Sequence, residues 1–309
     1  MDRGRLRAIV AALFVIMLFG LSTVLSKLAL REMPPLTMAM STGIVAWVGL
    51  SFYLFILRRR SIPRGLDRGT WVRVCAMGVG SFTVSRIFYM LSLQRMEATT
   101  SSFLSSFTGV FTLIIGMFVM REFPSVWQVV GTAVSIVGVY IFYPAVPARE
   151  ELIGVGMKVV GMATTGTTNN ISRDVASSGK LDFLMFSWLS TSVGILPLPF
   201  LTLWLEGVPH YTRMAIPAIL FVGLVSSGFG LTVWNGIMRD LQAFEASLIG
   251  NTIIIWTAVF GWILLGEQFS FRKVVAALVV LGGTALIQIR RRRLIPCAVS
   301  NVRHSSSRD

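Results

Sequence analysis

Charged residues are scarce in this sequence of 309 residues, and their scarcity excludes most soluble folds. Only 14% of the residues are charged, whereas 54% are hydrophobic and the mean hydropathy is +0.73. An ordinary soluble domain is about one quarter charged, and a water-soluble fold could not hide this much apolar surface. The composition therefore predicts an integral membrane protein.

Residues that could build a disulfide, metal or nucleotide site are also few. The two cysteines, Cys75 and Cys297, lie in an apolar run and in a polar tail, so neither a disulfide framework nor a zinc spacing can be drawn. His210 and His304 are equally scattered and indicate no metal site. No glycine-rich loop ends in Gly-Lys-Ser or Gly-Lys-Thr, which argues against ATP as the energy source. We expect no cofactor.

The net charge of +14 would suggest a nucleic-acid-binding protein if the basic residues shared one polar stretch. Here they lie between long uncharged runs, where they are predicted to flank membrane segments. The expected partners are therefore the lipid bilayer and a small-molecule solute, and not a nucleic acid.

Long apolar runs divide the chain into ten predicted transmembrane helices, which we call spans 1 to 10. A transmembrane helix needs about 20 mostly apolar residues to cross about 30 Å of hydrocarbon. The connections between the runs are brief and leave no room for a soluble domain. In chain order the spans are Ala8 to Leu25, Leu36 to Leu57, Trp71 to Leu93, Ala98 to Met120, Val126 to Phe142, Ile153 to Ile171, Phe183 to Leu205, Ile216 to Met238, Phe244 to Leu265 and Val274 to Ile289.

The basic residues also predict an orientation, because cytoplasmic loops carry an excess of Lys and Arg. With the N-terminus inside, nineteen basic residues fall on the cytoplasmic side and eight on the other, Lys158 among the eight. An even number of spans then places both termini in the cytoplasm. We expect a multi-pass protein of a bacterial-type inner membrane.

An internal repeat organises the chain. A shift of 145 positions aligns Gly78 through Phe142 with Gly223 through Ile287 without a gap, so that spans 3, 4 and 5 map onto spans 8, 9 and 10. Because each half has five spans, an odd number, the second half enters the membrane from the opposite side, as in the inverted repeats of many transporters. The predicted fold is all-α, with one repeat over residues 1–143, a second over 152–290, and a disordered basic tail over 291–309.

Both halves end on the same pattern. A span rich in small residues is followed by a turn that contains glutamate and then by a last span that contains glycine. In the first half these are Ala98 to Met120, Arg121-Glu122-Phe123-Pro124-Ser125, and Gly131 with Gly138; in the second they are Ala243 to Leu265, Gly266-Glu267-Gln268-Phe269-Ser270, and Gly282-Gly283. This pattern resembles the EamA-type branch of the drug/metabolite transporter (DMT) superfamily, and the resemblance covers Ala8 to Ile289.

The resemblance implies a fold and a class of activity more than a substrate. Members of that family are mostly proton- or gradient-dependent carriers and exporters of amino acids and other metabolites. The chain departs from the family pattern at Arg121, where glycine is usual, and at Gly109 and Ile254, where proline is often found. These departures concern the bending of spans 4 and 9 and leave the fold unaffected.

One ionisable residue stands well inside a predicted span. Arg86 lies about two-thirds along span 3, one turn from Tyr89, whose repeat partner is Trp234; the repeat partner of Arg86 itself is Leu231. An intramembrane charge is costly and indicates a functional site. Arg86 could pair with a substrate carboxylate or phosphate, or it could form a structural salt bridge or reach the outer interface. Spans 3 and 8 are expected to face each other across a cavity lined by spans 1, 3, 4, 6, 8 and 9.

Further polar residues in the spans are candidates for the same path. Hydroxyl and amide groups could bind a polar solute, or they could join neighbouring helices by hydrogen bonds. The candidates are Ser22, Ser26, Ser102, Ser105, Thr164, Thr168, Asn169, Asn235 and Asn251. Tyr89 and Trp234, the aromatic pair beside Arg86, are candidates for the same path.

The remaining acidic residues favour structural roles. Glu122 and Glu267 stand at span ends, where they could organise a turn or cap the next helix, because Ser125 and Ser270 precede spans 5 and 10. No carboxylate lies clearly within a span, so the sequence does not distinguish proton coupling from substrate exchange.

These observations favour a secondary transporter of a small polar metabolite, such as an amino acid, that works by alternating access of two inverted repeats; the habit of the family favours export. The alternatives are a non-transporting membrane protein and a membrane-embedded enzyme acting on lipid headgroups. Such an enzyme usually shows a cluster of His, Asp or Glu at one interface, and none is evident here.

Overall fold

The computed structural model describes residues 3–61, 65–120, 125–143, 147–178, 181–213, 215–230, 233, 249–268 and 270–287. Within these ranges the ordered segments are helices and no strand occurs, which confirms the predicted all-α class. A chain that hydrogen-bonds its backbone within each helix needs no partner from the surrounding lipid.

Helices cover the predicted spans of the first half closely. Span 3 is continuous but is π-helical in its middle part, and span 4 is broken after Ser105. The segments are Arg3–Ala29, Pro35–Ser51 with π-helical Phe52–Leu57, Arg68–Met77 with π-helical Gly78–Ser85 and then Arg86–Arg95, Ala98–Ser105 with Thr108–Met120, and Val126–Phe142.

The second half follows the same plan where it is described. Residues 231, 232 and 234–248 lie outside the described residues. They cover the end of span 8, with the predicted candidates Trp234 and Asn235, and the start of span 9. The segments are Arg149–Ser178, Phe183–Ile195 with Pro197–Leu205, Ala215–Leu220 with π-helical Phe221–Gly230, Ile253–Leu265 and Phe271–Ile287.

Five of the described helices are long and apolar enough to cross a membrane, by length and composition. They are Arg7–Ala29, Pro35–Leu57, Arg68–Arg95, Ala98–Phe118 and Leu184–Leu205. Shorter apolar helices cover Val126–Phe142, Ala215–Ser226 and Ile249–Leu265. A 17-residue helix such as Val126–Phe142 is about 26 Å long, slightly less than the hydrocarbon thickness. The chain is thus a multi-pass membrane protein, and the count of ten spans stays a prediction.

The helices of the two halves pack in symmetric pairs. Span 1 packs against span 9, and span 6, the counterpart of span 1, packs against span 4. Span 2 packs against span 8, and its counterpart span 7 packs against span 3. Spans 5 and 10, which are counterparts, pack against each other. These contacts between the halves therefore recur with the roles of the halves exchanged.

Close helix crossings repeat at the same 145-residue offset. A Cβ placed on Gly78 would lie 2.5 Å from the carbonyl oxygen of Ser190, and one placed on Gly223 would lie 2.5 Å from Cγ1 of Val45. Gly223 is the counterpart of Gly78, and Ser190 is that of Val45. Only glycine permits both approaches. The crossing of spans 3 and 7 at Gly78 is therefore equivalent to the crossing of spans 8 and 2 at Gly223.

One hydrogen bond marks the axis that relates the halves. Nε1 of Trp47 donates to Oγ of Ser192 at 2.8 Å, and the two residues are 145 positions apart. Two equivalent positions can touch only near the axis of a two-fold relation. The axis therefore passes between spans 2 and 7.

Spans 4 and 9 are broken at equivalent positions although neither has a proline there. The break in span 4 lies at Ser106 and Phe107, and that in span 9 at Thr252, the counterpart of Phe107. The hydroxyls of Ser106, Thr108 and Thr252 each donate to a carbonyl three residues earlier. Such back-bonding competes with the helical ladder and bends helices, so hydroxyl residues here produce the bend that proline would otherwise cause.

Candidate functional site

Arg86 lines a cavity of about 430 Å³ inside the bundle. The residue follows directly on the π-helical segment Gly78–Ser85 of span 3, and π-helical turns are frequent at functional sites. Spans 1, 2, 3, 7, 8 and 9 contribute to the wall. The lining residues are Phe19, Ser22, Thr23, Ser26, Ala46, Leu50, Ser81, Phe82, Ser85, Arg86, Tyr89, Met90, Thr191, Val222, Ser226 and Ile253.

The Arg86 guanidinium has no hydrogen-bond acceptor or ion-pair partner within the described part of the chain. Its Nη1 atom would lie 3.4 Å from a Cβ placed on Gly43, so the guanidinium reaches across to span 2. No described residue that lines the cavity is acidic. An unpaired cation in a low-dielectric interior is costly, and a negatively charged occupant would remove that cost.

Tyr89 joins spans 1 and 3 beside Arg86. Its hydroxyl donates to Oγ1 of Thr23 at 3.2 Å, and Oγ of Ser22 donates to the carbonyl of Leu18 in its own helix. The structure thus brings four of the predicted path residues, Ser22, Ser26, Arg86 and Tyr89, to one cavity.

Two other predicted candidates, Ser102 and Thr168, join neighbouring helices. The Ser102 hydroxyl, on span 4, donates to Thr257 on span 9 at 3.0 Å. Oγ1 of Thr168 on span 6 accepts a hydrogen bond from Ser81 on span 3 at 2.6 Å. These contacts match the packing alternative given for them above.

The amide candidates also contact neighbouring spans. Asn169 is exposed and its amide donates to Oγ1 of Thr112 at 3.3 Å, while Asn251 donates to Thr284 at 2.8 Å. Thr164 donates to the carbonyl of Val160 in its own helix.

Lys158 is the main residue that the sequence analysis misplaced. It was counted with the charges outside the membrane, which was wrong, because its side chain is buried in the bundle within the helix Arg149–Ser178. Its Nζ donates to Oγ of Ser101 at 2.9 Å and lies 4.3 Å from the centre of the Tyr89 ring. The signal was present, because Lys158 falls inside predicted span 6.

A second, smaller cavity of about 80 Å³ surrounds Lys158. Spans 3, 4 and 6 line it, and Ser105, another predicted candidate, is part of its wall. The lining residues are Ser85, Tyr89, Ser105, Thr108, Lys158, Gly161, Met162 and Thr165. Spans 4 and 6 were expected to line the central cavity, but among the described residues they line this smaller one. Spans 2 and 7 line the larger cavity instead.

Glutamates cap helices at one end of the bundle, which we call the Glu267 end. The carboxylate of Glu267 accepts hydrogen bonds from the backbone amides of Ala98 and Thr99, at 2.6 and 3.0 Å, and from the Thr99 hydroxyl. Glu267 therefore caps span 4 of the other half, and the predicted alternative that it caps the helix that follows it was wrong. A carboxylate at a helix N-terminus is favoured by the exposed amides and the helix dipole.

Glu206 forms a second cap of the same kind, which the sequence analysis missed. Its carboxylate accepts from the amides of Leu36 and Thr37, both at 2.7 Å, and from the Thr37 hydroxyl. Ser125 does cap span 5 as predicted, in a capping box with Gln128. Glu122 lies outside the described residues.

Charged residues surround a cavity of about 660 Å³ at the Glu267 end. Glu97 forms an ion pair with Lys273, which links the two halves. Nζ of Lys27 donates to the carbonyls of Leu93 and Gln94, both at 2.9 Å. The Tyr143 hydroxyl donates to Glu151 at 3.1 Å, and burial together with the Glu151 charge raises the pKa of that hydroxyl, which keeps it a donor.

Comparison with known proteins agrees with this architecture. The model of the EamA-like transporter family matches the chain twice, over residues 6–143 and 152–289. An uncharacterized transporter of Bacillus subtilis, YoaV, is 24% identical over 275 residues, with 87% of this chain and 92% of that protein covered. A probable amino-acid metabolite efflux pump of Salmonella typhimurium is 24% identical over 288 residues, with 88% and 91% covered.

A solved crystal structure has the same fold. It superposes with a TM-score of 0.66 at 14% sequence identity, and covers 92% of this chain and 98% of its own. Together with the two family matches, which span nearly the whole sequence, this settles the classification: the chain belongs to the EamA-like transporter family.

Proposed function

We propose that this EamA-like transporter is a secondary carrier that moves a small polar metabolite, such as an amino acid or a related compound, and that it acts as an exporter. The observation that carries the proposal is the cavity of about 430 Å³ with Arg86 on its wall, a cation that has no partner among the described residues. Binding sites are typically concave and mostly apolar, with a few polar groups that orient the ligand. Here the guanidinium would bind a carboxylate, and the hydroxyls of Ser22, Ser26 and Ser85 lie on the same wall.

The symmetric packing supports alternating access as the mechanism. Each pair of helices at the interface of the halves has a counterpart with the roles exchanged. A rearrangement that opens one face of the bundle therefore has an equivalent that opens the other face. We propose that the Glu267 end faces away from the cytoplasm and that both termini lie inside, as the basic residues predict.

The direction of transport is proposed from similarity alone. The Salmonella relative is named as a probable amino-acid metabolite efflux pump, and we propose the same direction for this chain. No described residue group has the composition of a metal site, and the proposal needs none, since binding and rearrangement suffice for a carrier driven by a gradient.

A flux experiment tests the proposal. The full-length protein is reconstituted in liposomes that are loaded with a labelled mixture of amino acids and small carboxylic acids, and efflux is compared between the wild type, Arg86→Ala and protein-free liposomes. We expect efflux of at least one component, and its loss in Arg86→Ala. Equal efflux from wild type and protein-free liposomes for every component would overturn transport of this class, whereas equal efflux from wild type and Arg86→Ala would remove Arg86 from the path.

A further inference from the structure

Lys158 is a second interior cation that the proposed function does not use. Its Nζ has a hydroxyl and a ring face as neighbours, Ser101 and Tyr89. No described residue forms an ion pair with it. A hydroxyl oxygen and an aromatic face stabilise an ammonium, but neither neutralises its charge.

The two cations belong to adjoining cavities. Ser85 and Tyr89 line both the larger cavity, which contains Arg86, and the smaller one, which contains Lys158. Tyr89 lies one helical turn after Arg86 on the same span, and its ring lies under the Lys158 amine. Ser85 and Tyr89 therefore lie between a solute bound at Arg86 and the cavity that Lys158 lines.

Among the described residues that line the two cavities, positive groups have no matching negative group. When both are protonated, Arg86 and Lys158 carry two positive charges, and the described lining residues include no carboxylate. A monocarboxylate could neutralise one of the two cations. A neutral zwitterion would bring an ammonium that has no described carboxylate to bind it, which is unfavourable in a low-dielectric interior.

Neither cation has a charged counterpart in the other repeat. The positions 145 residues away from Arg86 and Lys158 are Leu231 and Leu13. The symmetric architecture therefore holds an asymmetric charge, which would orient a solute with acidic groups in one way only.

We infer that the transported solute carries two acidic groups, one bound by Arg86 and the other by Lys158. This inference rests on the proposed function and narrows its substrate class to dicarboxylates, acidic amino acids and similar dianionic acids. The second acidic group enters the small cavity that Lys158 lines, whose wall also contains the hydroxyl residues Ser85, Ser105, Thr108 and Thr165. Each of these hydroxyls donates to a backbone carbonyl of the bundle, so the Lys158 amine is the group that would bind the acid.

Binding of matched probes to the full-length protein in detergent tests the inference. Malonate, succinate, glutarate and adipate are each compared with their monoamide, which keeps the length and loses one charge. We expect at least one dicarboxylate to bind the wild type tenfold or more tightly than its monoamide. Lys158→Gln should lower the affinity for that dicarboxylate to the level of the monoamide and leave the affinity for the monoamide unchanged, whereas Arg86→Gln should weaken both.

Two controls keep the result interpretable. Arg213→Gln removes a cation from the exposed surface and should change neither affinity. If Lys158→Gln does not fold, the affinities of the wild type for each dicarboxylate and its monoamide still test the inference. Lys158→Arg keeps the positive charge and should keep the preference for the dicarboxylate. A dicarboxylate series that binds no tighter than its monoamides would overturn the inference, and so would an equal loss of both affinities in Lys158→Gln.

An inorganic anion such as chloride, bound in the small cavity, could neutralise Lys158 in place of the second acidic group of a solute. The titrations are therefore repeated with gluconate in place of chloride. Chloride-dependent binding of the monoamides without a preference for the diacids would assign the cavity to an inorganic anion and overturn the inference. If the proposed function is wrong, liposome efflux will be absent for every solute. If only this inference is wrong, the liposomes will release a zwitterion or a monoanion, and the protein will show no preference for diacids.

Discussion

The interior of the bundle and its Glu267 end hold charge in opposite ways. At the Glu267 end, Glu97 pairs with Lys273, and Glu206 and Glu267 each accept hydrogen bonds from the amides that begin a helix. In the interior, Arg86 and Lys158 have no acidic partner among the described residues. The comparison separates charges that join the helices of the two halves from charges that are available to an occupant.

The largest expected effect comes from removing an interior charge. Arg86→Ala should reduce efflux of the true substrate about 100-fold, because a charge-assisted hydrogen bond contributes about 1.5–3 kcal/mol and each 1.4 kcal/mol is about tenfold. The thermal unfolding midpoint should stay the same or rise, since the variant no longer buries an unpaired charge. Efflux and unfolding are measured on the same preparation, with Arg213→Ala as the control.

An Arg86→Ala variant that loses stability together with efflux would contradict the comparison. It would show that the guanidinium holds helices together, as the charges at the Glu267 end do.

Two adjacent glycines in span 10 allow the effect of helix packing on stability to be measured without a change in charge. A Cβ on Gly283 would clash with Oγ of Ser135 and lie 2.7 Å from the carbonyl of Gly131, whereas a Cβ on Gly282 would have no atom within 4 Å. Gly283→Ala should lower the free energy of unfolding by about 2 kcal/mol through overpacking. Gly282→Ala should be neutral or slightly stabilising, because alanine favours a helix over glycine. Equal unfolding midpoints for the two variants would show that spans 5 and 10 are not in this close contact.

Removing a cap at the Glu267 end should affect stability more than transport. Glu267→Ala leaves the amides of Ala98 and Thr99 without their acceptor, and loss of an N-terminal cap costs about 0.5–2 kcal/mol. We expect a lower unfolding midpoint, with substrate affinity within about twofold of the wild type. Glu206→Ala is the matched variant at span 2 and should behave alike. A large loss of affinity with unchanged stability would place Glu267 in the transport path.

The ion pair Glu97–Lys273 should give the smallest effect. Both side chains are partly exposed, 41% and 21% respectively, and such pairs contribute about 0–1 kcal/mol. Lys273→Gln should shift the unfolding midpoint slightly, and the difference from the wild type should shrink as salt is raised. A salt-independent loss would indicate that the pair is shielded from solvent more than its exposure suggests.

Most of the architecture followed from local properties of the sequence. Composition and long apolar runs predicted a helical membrane protein, and the 145-residue offset predicted which spans are counterparts. Close crossings at Gly78 and Gly223 repeat that offset in three dimensions. Arg86 was identified because a charge inside an apolar run is visible without a structure.

The contacts of individual polar residues were harder to predict. Serine, threonine and asparagine occur on faces that line cavities and on faces that join helices, and their identity does not distinguish the two. Ser22 and Ser102 were equal candidates, yet one lines the cavity and the other bonds to Thr257. The role of Glu267 was missed for the same reason, because the amides that it caps are 168 and 169 positions away.

The sequence by itself determined that the chain is a helical membrane protein made of a repeated unit, because hydropathy, periodicity and self-similarity are carried by neighbouring residues and by one fixed offset. Only the tertiary structure decided which polar groups meet. The sequence places Lys158 inside a predicted span, but only the fold shows that its amine lies against Ser101 and the Tyr89 ring, 57 and 69 positions earlier in the chain. The energy of a charge in a membrane depends on those neighbours, and they come from other helices.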